Sequence, residues 1–179
     1  MSLTVKERGE LTATYRFIEV FLMETLAQWV PTTPEMEIKL LFGAHIWDLA
    51  QHADALGKRT YELRLPLQFS MKPAEEYFAL LHGLRDITDS SERMTAFYDV
   101  MLPALQTRFR DYLNRTDSLM DAPTVRILER IIHDDSRMIQ ECNDLREQLK
   151  FPLPEPKWVS ELAHKESSIP TVVAPKTAA

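Results

Sequence analysis

The chain has 179 residues, of which 45% are hydrophobic and 27% charged, with a net charge of −6. That length fits one domain with a real core, and that composition excludes a disordered or fibrous chain. The acidic balance argues against a nucleic-acid binder, which concentrates positive charge, and four glycines are too few for a turn-rich sheet protein.

The opening residues, MSLTVKERGEL, lack the apolar segment of a signal peptide. A first helix is expected from about Val5 to Trp29, because Leu11, Tyr15, Ile18, Leu22, Thr25 and Trp29 recur at spacings of three and four. Pro31 stops it. Thr33 followed by Pro34 reads as a cap and first helical position, so a second helix runs from Pro34 to about Arg64, where Pro66 blocks extension. A shorter helix spans Pro73 to Ile87. Asp89 with Glu92 resembles a capping box and opens a helix to about Asn114, interrupted at Pro103. Asp121-Ala122-Pro123 starts the last long helix, which carries Leu128, Ile132, Ile139, Cys142, Leu145 and Leu149.

After Lys150 the composition changes. Residues 151–179 hold five prolines and no long periodic stretch, which predicts an extended tail with at most a helical turn between Trp158 and His164. Phe151, Leu153 and Trp158 are its candidate anchors, on the bundle or on a second subunit, and the last ten residues read as weakly held. The domain expectation is therefore a helical bundle over 1–150 and a Pro-rich tail over 151–179. The lone Cys142 excludes an intrachain disulfide and suits a reducing compartment. No apolar run approaches the roughly 20 residues of a membrane span, so the expected location is cytoplasmic and off the membrane.

The second helix holds the most informative residues. At about 100° per residue, His52 lies about 20° round the helix from His45 and Asp48 about 60°. Both histidines fall near the midline of the stripe formed by Ile38, Leu41, Phe42, Leu49, Leu56 and Leu63. Burying such groups costs a few kcal/mol each unless they are paired or metal-bound. On the fourth long helix, Asp135 lies about 20° from Leu128, on the apolar line, whereas Glu129 and His133 lie off it toward water. Glu19 sits at the edge of the first helix's stripe, and Tyr98 and Arg108 are the polar residues nearest the seam of the third.

Two hairpins of long helices joined by one long connection, with polar residues aimed into the core, resemble the ferritin-like superfamily over about residues 8–149. The resemblance implies an all-α, ferritin-like four-helix bundle whose long crossover contains a short extra helix. It also implies a site for iron or manganese, with His45, Asp48, His52, Asp135 and Glu19 as the candidate ligands. The set departs from that family's pattern: His45-x-x-Asp48-x-x-x-His52 is respaced, Met138 stands where Glu-x-x-His would place its histidine, and the third helix offers no carboxylate in its stripe. Three readings of function follow. The chain is a metal-dependent oxidoreductase acting on a small organic substrate, or a metal-free bundle whose histidines bond neighbouring carboxylates and which works by association, as a homodimer or with a partner, or a carrier whose polar cluster orients a small organic molecule in the bundle core.

Overall fold

The computed structural model describes residues 2–175. It is all-helical, with no β-strand among those residues beyond one isolated bridge between Pro73 and Val173. The elements are α1 (Val5–Trp29), α2 (Met36–Glu62), α3 (Glu75–Arg85), α4 (Ser90–Met94), a π-helical segment (Thr95–Met101), α5 (Leu102–Arg115), α6 (Ala122–Leu149) and α7 (Pro156–Ser167). No helix among the described residues is long and apolar enough to cross a membrane.

Local chemistry accounts for the helix ends. Thr4 and Glu7 form a reciprocal capping box at the start of α1. Thr33 does not cap α2 as its sequence context suggests. Its hydroxyl donates to the Trp29 carbonyl at 2.9 Å and so completes the end of α1, while α2 begins after Glu35 without a side-chain cap. Asp89 accepts from the Glu92 backbone N–H at 3.0 Å, which is the expected cap of α4. The interruption expected at Pro103 takes the form of the π-helical segment directly before it, where the Leu102 N–H bonds the Phe97 carbonyl five residues back. A proline ring clashes with the carbonyl four residues earlier, here Asp99, and a widened turn relieves that clash.

Contacts between helices fix their directions. Glu19 faces His52 while Trp29 faces Phe42, so α1 and α2 run antiparallel. His45 faces Glu141 while Arg59 faces Thr124, so α2 and α6 do too. The same holds for α5 against α6, through Gln106 to Ile132 and Thr95 to Arg146. It holds again for α1 against α5, through Tyr15 to Arg108 and Leu3 to Arg115. Each long helix therefore opposes two neighbours around one core of Ile18, Leu22, Phe42, Leu49, Phe97, Leu105, Phe109 and Leu128, all fully buried. The connection between α2 and α4 must return along the length of these helices, and α3 lies within it. Gln68 pins its start: its backbone N–H donates to the Gly57 carbonyl at 3.0 Å and its side chain accepts from Arg16 Nε at 2.9 Å.

Residues after Lys150 are more ordered than their prolines suggest. They form a twelve-residue helix, α7, where one turn is expected. Ile169 and Val172 are buried, and the Val172 carbonyl accepts from the Ala74 N–H at 2.8 Å. Arg108 holds this segment by donating to Glu166 Oε1 and to the carbonyls of Glu166 and Ile169. These bonds are polar and long-range, so the apolar pattern does not reveal them. Phe151 and Trp158 pack on the chain's own core, but Leu153 is exposed. The reading of weakly held final residues is thus corrected up to Val173; residues 176–179 lie outside the described part.

Candidate functional site

The seam between α2 and α6 carries polar side chains at a seven-residue repeat. His45, His52 and Arg59 follow one another on α2 and are all buried. Their partners descend α6 in the opposite sense: Glu141, Asp134, and Thr124 with Asp121. Seven residues are about 10.5 Å of helix. The two imidazoles therefore do not converge, and each forms its own network.

At the first node, His45 Nε2 lies 2.8 Å from Glu141 Oε2 and Nδ1 lies 2.7 Å from Tyr98 Oη. Tyr98 stands in the π-helical segment and is fully buried; Glu141 reaches the surface. Burial outweighs the pull of Glu141 and holds His45 below the usual imidazole pKa, which favours the neutral ring. Glu141 stays below the usual carboxylate value because its bonds to His45 and Arg137 outweigh the effect of burial. A carboxylate only accepts, so the ring proton sits on Nε2, and Nδ1 accepts from the Tyr98 hydroxyl. Burial pushes the Tyr98 phenol well above its ordinary pKa, so it remains a donor.

The second node is charged. His52 Nδ1 lies 3.4 Å from Glu19 Oε2 and Nε2 lies 3.2 Å from Asp134 Oδ2. With a carboxylate on each side, both ring nitrogens donate, which requires the imidazolium. Burial opposes that charge, yet the bonds to Glu19 and Asp134 and the charge of Glu19 outweigh it and raise the pKa to about 9. Asp135 lies fully buried beside this group, and neither of its oxygens has a hydrogen-bond partner. Burial, then the neighbouring Glu19, Asp134 and Asp48 carboxylates, push its pKa far up, against the opposing pull of His52, so it is held as a neutral acid.

The five residues proposed as one ligand set therefore separate into three places. Glu19, His52 and Asp135 share the second node. His45 belongs to the first, seven residues away. Asp48 turns to the edge of the seam and accepts from Arg137 at 2.8 Å. Sequence reading missed Asp134, Glu141 and Arg137, which lie on the flank of the α6 stripe and reach inward. The signal was present: 134 and 141 repeat at the same seven-residue interval as 45 and 52. Glu129 and His133 are exposed.

The donors as arranged do not suit a metal ion. Each ring nitrogen already has a partner, with His45 on Glu141 and Tyr98 and His52 on Glu19 and Asp134, so none points into an open coordination site. No group of three or more His, Cys, Asp or Glu among the described residues converges as metal ligands would. Cys142 is buried, and burial pushes its thiol up to about 12, which makes it core rather than nucleophile. No protein-family model, curated protein or solved structure matches the chain.

Proposed function

We propose that this chain is a ferritin-like four-helix bundle that functions without a metal, by self-association through the outer face of α2. The two antiparallel hairpins and the long return between them support the ferritin-like reading. The pairing of both imidazoles with side chains of the bundle supports the metal-free one. The observation that carries the association is that the first half of α2 is apolar on two opposite faces. Opposite His45 and Leu49, at about 180° round the helix, stand Met36, Leu40 and Trp47, which are 61%, 68% and 67% exposed. A helix apolar on both sides has a partner on both.

The stripe fits a second copy of itself. Its order is large, small, small, large: Leu40, Gly43, Ala44, Trp47. That order reads the same in both directions, as a two-fold antiparallel helix pair requires. A side-chain carbon placed on Gly43 would touch nothing within 4 Å. The gap beside Leu40 is open for the Trp47 ring of the other copy, and the central Gly43 and Ala44 let the backbones approach. α7 packs on its own chain, so the tail is not needed to make this contact.

Sedimentation of the full chain tests the proposal. Wild type sediments as a dimer, and Leu40→Glu combined with Trp47→Glu gives a folded monomer whose unfolding midpoint no longer depends on protein concentration. A wild type that stays monomeric at every concentration, or a double variant that remains dimeric, overturns it.

One observation favours a second reading. Asp135 leaves two buried oxygens unanswered beside Glu19 and His52, and an orphaned buried carboxyl is a recognised mark of an ion site. On this reading iron or manganese sits at Glu19, His52 and Asp135, His52 gives up one of its carboxylate bonds, and the chain acts on a small organic substrate. Elemental analysis of protein purified without chelator separates the two: near-stoichiometric metal that is lost in His52→Ala favours the metal centre, and metal-free protein favours the bundle.

A further inference from the structure

A cleft of about 220 Å³ opens between α2 and α6, and its lining includes His52. It is independent of the outer α2 stripe. Its polar lining residues are Gln51, His52, Arg126 and Arg130, and its apolar ones are Ala55, Ile127 and Ile131.

The charge in this cleft is unbalanced. Arg126 and Arg130 stand one turn apart on α6, a spacing at which like charges repel. No carboxylate belongs to the lining. The nearest, Asp134, is already shared among His52 at 3.2 Å, Arg130 at 3.6 Å and Arg137 at 4.0 Å. Arg126 has no hydrogen bond or ion pair among the described residues. Two guanidinium groups one turn apart, one of them free, in a cleft whose lining holds no carboxylate, form a receptor for an anion.

Size and walls select the anion. At about 220 Å³ the cleft lies below the roughly 300–1,000 Å³ of sites that hold drug-sized ligands, so it suits a small anion. Ala55, Ile127 and Ile131 line the cleft with aliphatic carbon, against which an inorganic anion gains nothing. We propose that the cleft binds a short-chain carboxylate, with its head between Arg126 and Arg130 and its alkyl tail on Ile127 and Ile131.

The test uses the full chain and three probes: butyrate, acetate and inorganic phosphate, each titrated at constant ionic strength while the His52 ring resonances are followed by NMR. Butyrate is expected to shift the His52 signals saturably and to bind more tightly than acetate. Arg126→Gln, at an exposed position, is expected to keep the wild-type unfolding midpoint and to weaken butyrate about tenfold or more. Absence of a saturable shift, or equal butyrate affinity in Arg126→Gln, overturns the site. Phosphate binding as tightly as butyrate with the same Arg126 dependence overturns the carboxylate assignment. None of these readings depends on whether the chain is a dimer.

Discussion

His45 and His52 occupy the same helix, the same face and the same depth, yet they carry opposite charge states. His45 meets one carboxylate and one phenol; His52 meets two carboxylates, with a third carboxyl behind them. The second partner, Tyr98 for one ring and Glu19 for the other, decides the state, not burial, which is 0% and 2% exposure for the two residues. A buried imidazole is neutral when one neighbour can donate to it and charged when every neighbour can only accept.

Removing each ring tests that contrast most severely. His52→Leu leaves Glu19, at 1% exposure, as an unpaired buried charge, and the expected loss is about 3–5 kcal/mol of unfolding free energy. His45→Leu leaves the Tyr98 hydroxyl unsatisfied while Glu141 turns to water, and the expected loss is about 1–3 kcal/mol. Urea unfolding of both variants at pH 7 measures the difference. Equal losses would mean that the two nodes do not differ in charge. The pH dependence has opposite signs as well. The His52 pKa is raised on folding, so its contribution is complete below about 6.5, the unfolded value, and fades as pH rises to about 9. The His45 pKa is lowered on folding, so its contribution is complete above the unfolded value and is lost as pH falls below it.

Asp135 sharpens the comparison from the acid side. Its folded pKa is raised, so the folded chain holds a proton that the unfolded chain releases. Stability from this group is therefore present at acid pH and falls as pH rises above about 4. Asp135→Asn keeps the shape without the titration. It is expected to match wild type near pH 4 and to exceed it by about 1–3 kcal/mol at pH 7. A loss of stability at pH 7 would show instead that the carboxyl is ionised and supports the His52 imidazolium.

Much of the architecture is legible from the chain. Periodicity and proline positions place the long helices within a few residues, because apolar stripes and helix breakers are local properties. The stripe test also identifies His45, His52 and Asp135 as buried, since each lies on its helix's inward line. The grouping of these residues is not local. It depends on the register between α2 and α6, which sets His52 against Asp134 and His45 against Glu141. A single helix wheel carries no information about register, so five polar residues looked like one site. Arg108 shows the same limit: its bonds to Glu166 and Ile169 bind a segment whose prolines suggest a loose tail.

Arg137 lies between the two nodes and gives the smallest expected effect. It donates to Asp48 at 2.8 Å and to Glu141 at 2.9 Å, and it is 40% exposed. Ion pairs of that exposure contribute roughly 0–1 kcal/mol, so Arg137→Gln is expected to cost less than about 1 kcal/mol in unfolding. Its electrostatic effect should be easier to see than its effect on stability. The guanidinium lowers the His45 pKa, and its removal is expected to move that pKa up, with a smaller change at His52. NMR titration of the two rings reads both shifts in one experiment. If His52 moved as far as His45, the nodes would be electrically continuous, and the seam would have to be treated as one titrating unit rather than two.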